Sequence, residues 1–452
     1  MDPECRRPRT ALLLFLGVIL LSGCITRSAA GSGEPGPSEA VSEEPETPSY
    51  TVVFRSGGEI LSSQTVEEGA LPEIPAPENV RLLGWTDADG VPADPGRPVT
   101  ADAEYTARTR PLLKSDRGWL YPRETGFLAP EQPFTCGDAL AAAETLLADP
   151  DDLALISGGW ADRADEPISR EDFRTLLYAL FDETEADAAF VGVYSDIFNR
   201  VTRADAARCL FPLLGSPAAE EVYYPDLPPD RPAFAELCAA AAEGVLDRDA
   251  LVEKTQDGFV WFDGYLYHVD EDGYFLSDET YDGLYFNIHG RFTSGTDELD
   301  DYVAQTISLL TSESQTRTEK LRSVYLYVKN NLEYLVRNYY PSGANDWAVA
   351  EALTMYRTGR GNCYNYAGVF WSLARGLGYN AVTFSGTIGV EFQLHAWTEI
   401  IIDGEYFICD PEIEMNYWYL AELNHDNSMY TDNFMMPRSR AGNWYYRSEG
   451  RQ

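Results

Sequence analysis

The sequence predicts a multidomain α+β chain with a small β module and a helical repeat region upstream of a mixed C-terminal domain. Three observations predict it. The hydrophobic pattern changes period along the chain, from short runs between turn residues over 50–110, to 3- and 4-residue spacing over 128–248, to aromatic runs over 256–295, and to both patterns over 296–452. The length of 452 residues, 44% hydrophobic, exceeds what one compact core holds. Helix-start signals also recur 34 and 33 residues apart, at Thr135, Ser169 and Thr202. Charge narrows the function: 34 Lys plus Arg against 73 Asp plus Glu give −39, with no local basic patch, which excludes nucleic-acid binding. The seven cysteines, at 5, 24, 136, 209, 238, 363 and 409, form no C-x-x-C pair, and with four histidines no metal centre or cofactor is expected.

Residues 1–23 read as an export signal. Arg6, Arg7 and Arg9 precede an apolar run from Ala11 to Leu21, too short to span a bilayer but right for the core of a signal peptide. Leu21-Ser22-Gly23-Cys24 resembles the bacterial lipobox, which implies that Cys24 becomes the lipidated mature N-terminus on the extracellular face of the cell membrane. Without the lipobox the segment is an ordinary secretory signal, and the chain is exported either way. Residues 24–49 are Gly, Ser, Pro and Glu with few large apolar groups, a disordered linker holding the folded parts away from the membrane.

Residues 50–110 alternate Tyr50–Phe54, Ser56-Gly57-Gly58, Ser63–Val66, Leu82-Leu83-Gly84-Trp85 and Ala103–Arg108, an all-β module. This order resembles the internalin-type β-grasp repeats of bacterial surface proteins, which implies a spacer or adhesion unit. Over 128–248, Thr135, Ser169 and Thr202 each stand three residues before an Asp and cap an apolar helix. Ile168–Asp172 and Val201–Asp205, with Tyr194-Ser-Asp-Ile197 and Tyr224-Pro-Asp-Leu227, look like S-layer homology motifs. The resemblance implies that Arg170 and Arg203 contact an anionic wall polymer, while the first unit carries Cys136-Gly137 where the arginine would be. A plain helical spacer accounts for the same caps. Over 256–295, Asp263-Gly264, Asp272-Gly273 and Asp282-Gly283 are type I′ turn pairs, so short hairpins are expected. Trp261, Tyr265, Tyr267 and Tyr274 are then exposed, stacking on sugars or pairing across strands.

The C-terminal domain carries the chemistry. A helix with Leu321, Val324, Tyr325, Val328 and Leu332 on one face ends near Asn331, and a second spans Trp347 to Tyr356. In Arg357–Ala367, Asn362 is a good N-cap, and Ala367, Phe370, Ala374 and Leu377 continue a helix that stops at Gly378. Cys363 therefore sits in the first turn, where the dipole favours negative charge and free N–H groups can accept an oxyanion. A nucleophilic cysteine needs a base and a group to orient it. One hairpin supplies both: His395–Ile402 is a strand, Asp403-Gly404 a two-residue turn, and Glu405–Asp410 returns. Pairing Ile402 with Glu405 puts Asp410 opposite Trp397, on the same face as His395 and within diagonal reach of it. Cys409 then points away, as a structural thiol. Glu399 shares the His395 face, for cross-strand pairing or an extended polar network.

Gly361-Asn-Cys-Tyr-Asn-Tyr-Ala367, Gly376–Ala381, Leu394-His-Ala-Trp397 and Cys409-Asp-Pro411 resemble the core of the transglutaminase-like superfamily, over about residues 300–415. The resemblance implies a papain-like α+β core in which Cys363 is nucleophile, His395 base and Asp410 orienting acid. The family often has Asp beside the cysteine, where this chain has Asn362 and Tyr364. The expected function is a surface-anchored cysteine acyl-transfer enzyme, a peptidase, deamidase or cross-linker, acting on wall peptide or surface protein. The alternative is a non-catalytic adhesion or wall-binding scaffold that keeps the fold without turnover.

Overall fold

The computed structural model describes residues 47–447 apart from 158, 194–199, 219–221, 342–343, 345 and 443. The export segment, Cys24, most of the linker and the Tyr194–Ile197 motif lie outside the described residues. Among the described residues no helix is long and apolar enough to cross a membrane.

The N-terminal module is a five-stranded sheet of β1 (Ser49–Ser56), β2 (Glu59–Glu67), β3 (Val80–Thr86), β4 (Pro92–Ala93) and β5 (Ala103–Pro111), in the order β2-β1-β5-β3-β4. β1 runs parallel to β5, and Phe54, Trp85 and Tyr105 form its aromatic centre. The β3–β5 register shifts between Leu82 and Gly84, a bulge that glycine accommodates at φ 151°.

The helical region contains α1 (Cys136–Leu146), α2 (Leu153–Ile156), α3 (Arg170–Leu180), α4 (Glu183–Val193), α5 (Arg203–Leu213), α6 (Phe234–Ala240) and α7 (Arg248–Lys254). Thr135, Ser169 and Thr202 are the N-caps of α1, α3 and α5, each accepting from the N–H three residues on. The cap segments pair with one another, Thr135 with Pro167, Ser169 with Arg200 and Pro133 with Thr202, so the three repeats close on a common apolar core. Arg203 does not reach the surface. At 0% exposure its guanidinium donates to Asp138 at 2.5 Å and to the carbonyls of Leu128 and Tyr121, which corrects the expectation that it contacts a wall polymer. Arg170 is half-buried with its guanidinium over the Phe190 ring at 4.9 Å.

β6 (Phe259–Phe262) and β7 (Tyr265–His268) form a hairpin through Asp263-Gly264, and β8 (Glu279–Tyr281) and β9 (Leu284–Phe286) another through Asp282-Gly283. All four turn residues have positive φ, as a type I′ turn requires. Asp272-Gly273 departs from the expectation: only Gly273 has positive φ, and the turn is held instead by the Asp270 side chain accepting from Tyr274 N–H. The aromatics are packing groups rather than an exposed row, with Tyr267 buried against Phe127 and Phe275.

In the C-terminal domain, α8 (Asp297–Leu310), α9 (Arg317–Asn331), α10 (Ala348–Thr358) and α11 (Cys363–Gly376) pack against a sheet of β12 (Asn380–Ile388), β13 (Gln393–Ile402) and β14 (Glu405–Cys409). A two-stranded parallel ribbon, β10 (Glu333–Tyr334) with β11 (Arg360–Gly361), leads into α11. α12 (Pro411–Asn424) follows β14, and the tail adds β15 (Met436–Pro437) and β16 (Tyr445–Arg447) as the two edges, giving β15-β14-β13-β12-β16. α10 crosses α11 at Gly368, where a Cβ would stand 2.7 Å from the Ala348 carbonyl oxygen.

Candidate active site

Asn362 fixes where α11 begins. Its Oδ1 accepts from Tyr364 N–H at 3.2 Å, and Asn365 Oδ1 returns to Asn362 N–H at 2.9 Å, a capping box closed by asparagine. Asn365 is braced by Arg337 at 3.0 Å and by the Glu351 carbonyl oxygen at 3.0 Å. Gly361 has no room for a side chain, since a Cβ would lie 2.3 Å from Asn365. Cys363 is therefore held as the first residue of the helix, at the position whose N–H needs no intrahelical acceptor.

The β13–β14 hairpin has the expected register, Ile402 with Glu405 and Thr398 with Cys409. His395 Nε2 meets Asp410 Oδ2 at 2.7 Å, and Cys363 lies near enough for its charge to act on the same imidazole. With Nε2 engaged by Asp410, Nδ1 is the nitrogen left for the thiol. All three residues are buried, at 1%, 3% and 1% exposure for Cys363, His395 and Asp410. Burial alone would push the imidazole toward its neutral form, but the charges of Asp410 and Cys363 outweigh it and hold the His395 pKa well above its ordinary value. Trp397 lies nearly parallel to the imidazole, with ring centroids 6.2 Å apart.

Asp410 is itself fixed from two directions. It is the N-cap of α12, Oδ1 accepting from Ile413 N–H at 3.1 Å, and Oδ2 also accepts from the Tyr445 hydroxyl at 2.9 Å. Burial and the neighbouring carboxylate push the Tyr445 pKa well up, so the phenol remains a donor. Tyr445 comes from the tail strand, and nothing local in the sequence announced it. Glu412 was also missed, although it follows Asp410 by two residues: its Oε2 lies 3.8 Å from His395 Nδ1, and burial, only partly opposed by His395, pushes its carboxyl up to about 7.

Cys409 and Glu399 lie outside this unit. The Cys409 thiol, pushed up to about 12 by burial, accepts from Met435 N–H at 3.4 Å in the core behind the sheet. Glu399 is fully buried and takes Trp397 Nε1 at 2.7 Å together with Arg438 and Arg447 from the tail, so it ties the C-terminal segment to the sheet. Among the described residues Cys136, Cys209, Cys363 and Cys409 are free thiols. The cluster of metal-binding residue types among them is His395, Asp410 and Glu412, with ligand atoms within 4.8 Å of one another, and His395 Nε2 is already committed there to Asp410.

Cys363 packs in one apolar cluster with Trp347 and Tyr364, against which Tyr340 is partly buried; Tyr364 Oη donates to the Tyr340 carbonyl at 3.0 Å and Ser385 Oγ to the Pro341 carbonyl at 3.2 Å. Chemically the arrangement offers a nucleophile at a helix N-terminus, a proton carrier beside it and an acid that orients the carrier.

Residues 303–411 match the family model of the transglutaminase-like superfamily, so the C-terminal region holds a transglutaminase-like domain. Over 127 residues the chain is 26% identical to the human kyphoscoliosis peptidase, a match covering 26% of this chain and 18% of that protein. Among solved structures it is similar to a candidate cysteine protease of Cytophaga hutchinsonii, at 21% identity and a TM-score of 0.19, over 25% of this chain and 37% of that one. It is also similar to a crystallised TGase, at 17% identity and a TM-score of 0.19, over 26% of this chain and 33% of that one. The chain thus spans less than a fifth of the human relative's length and 37% and 33% of the two crystallised chains.

Proposed function

We propose that the transglutaminase-like domain is the catalytic part of an exported, surface-anchored cysteine acyl-transfer enzyme. The observation that carries this reading is the placement of Cys363, at the start of α11, beside His395, whose Nε2 is hydrogen-bonded to an Asp410 steadied by Tyr445. Cys363 sulfur attacks a carboxamide or peptide carbonyl, its proton passing to His395 Nδ1. The tetrahedral oxyanion is met by N–H groups of the α11 N-terminus. The C–N bond breaks as His395 returns the proton to the departing ammonia or amine, leaving a thioester. Water or an amine then attacks the thioester, gives its proton to His395, and frees the thiol. The human relative is named a peptidase, and hydrolysis of wall peptide or surface protein is the reaction we put first. An acyl substrate reaches the buried Cys363 once the side chains packed against it shift.

That burial favours a second reading, an adhesion scaffold whose enclosed triad does not turn over. Iodoacetamide labelling near neutral pH separates the two, because Cys363 and Cys409 are almost equally buried. The enzyme reading expects Cys363 to label much faster than Cys409, with the difference lost in His395→Ala. Equal rates, unmoved by that substitution, leave the scaffold.

A further inference from the structure

The first turn of α9 places a cation where the rest of the molecule has not provided for it. Lys320 is 5% exposed in a chain with more than twice as many acidic as basic side chains, yet among the described residues no carboxylate pairs with it. Its Nζ lies over the Trp261 ring, 3.9 Å from the centroid, and only Glu313 acts on it, at longer range. A cation–π contact offsets part of the cost of burying an ammonium, but a buried cation without a close counter-charge still loses part of its hydration. The position also opposes the helix dipole, so α9 and Lys320 add their positive potentials.

Lys320 also lines a cavity of about 660 Å³ between α7, the β6–β7 hairpin and the facing ends of α8 and α9. The walls are apolar at Leu251, Phe262 and Ile307, while the exposed carboxylates Asp247 and Glu313 stand at the rim. Gln256, which also lines the cavity, donates its Nε2 to the Gln315 carbonyl and leaves its Oε1 without a partner. The matching ligand has a carboxylate for Lys320, an apolar body for the walls, and an N–H or ammonium end for the rim. We propose that this cavity binds a short peptide by its free C-terminal carboxylate. The site is separate from the triad: Trp261 Nε1 donates to the Gly376 carbonyl at the end of α11, thirteen residues or about 20 Å along the helix from Cys363.

Calorimetric titration of the full chain with the dipeptide Ala-Phe and with its C-terminal amide tests this. The amide carries a net positive charge, so the acidic protein attracts it nonspecifically, and a preference for the free acid requires a cationic site. The expected result is saturable binding of Ala-Phe with the amide about tenfold weaker or more, that preference abolished in Lys320→Met and retained in Cys363→Ser. Equal binding of acid and amide to the unaltered protein, absence of binding at millimolar dipeptide, or an unchanged preference in Lys320→Met overturns it. Loss of binding in Cys363→Ser alone assigns the peptide to the triad and also overturns it. The acid-against-amide comparison needs no variant and stands even if Lys320→Met does not fold.

Discussion

Asp138 in the helical region and Asp410 in the C-terminal domain are both largely buried carboxylates at helix N-termini, and each accepts from two side chains. Asp138 is shared by Arg123 at 2.9 Å and Arg203 at 2.5 Å, guanidiniums that do not give up a proton. Asp410 is shared by an imidazole and a phenol, and the imidazole's other side faces a thiol. The first cluster pins the first and third repeats together, since Arg203 belongs to α5 and Asp138 to α1. The second can hold and release a proton without losing its geometry. A buried acid is thus structural or chemical according to whether its partner titrates.

Substitutions in the two clusters should therefore fail in different ways. The largest effect is expected for Cys363→Ala, which should lower the rate of casein hydrolysis by about a thousandfold or more while leaving the urea unfolding curve in place. Arg203→Met should do the reverse. Removing one partner of a buried ion pair costs about 3–5 kcal/mol, so the unfolding midpoint should fall sharply while the Cys363 alkylation rate of the folded fraction stays unchanged. Tyr445→Phe removes one donor to Asp410 and should lower kcat/KM about tenfold, close to the 1–1.5 kcal/mol of one hydrogen bond, with the midpoint nearly unmoved.

Glu412 sharpens the comparison through pH. Its folded pKa of about 7 lies above the ordinary 4.5, so the native state binds more protons than the unfolded one between those values. Its contribution to stability is full below about 4.5, declines as pH rises, and is lost above about 7. Glu412→Gln should gain stability relative to the parent across that window, by about 1–3 kcal/mol at pH 8, and parallel pH–stability curves would show that the carboxyl is not buried as described. The smallest effect is expected for Gly404→Ala at the hairpin turn. With φ at 79° it should cost about 1 kcal/mol, read from the thermal midpoint, and leave the order of alkylation among the cysteines intact.

The grouping of Cys363, His395 and Asp410 was legible because its parts are local. Asn362 caps the helix that Cys363 begins, and the Asp403-Gly404 turn sets the register that brings His395 to Asp410; both follow from residues a few positions apart. Tyr445 was not legible, because it reaches Asp410 through the pairing of β16 with β12, a contact decided by the folded sheet. Arg203 was read as contacting a wall polymer from its match to the arginine of the S-layer homology motif. Its burial depends on Asp138 in another repeat, the one carrying Cys136-Gly137 where the others have an arginine. Trp261 was read as an exposed ring, whereas its indole is anchored on the Gly376 carbonyl of a helix over a hundred residues away. Periodicity reports which face of an element is apolar and is silent on which distant element covers it.

The most direct test of the central claim is the mass of a trapped acyl-enzyme. After brief exposure to p-nitrophenyl acetate and acid quench, the account predicts one acetyl group on the peptide that contains Cys363, absent in His395→Ala. An acetyl group on Cys409, on another cysteine or on no peptide at all would contradict it.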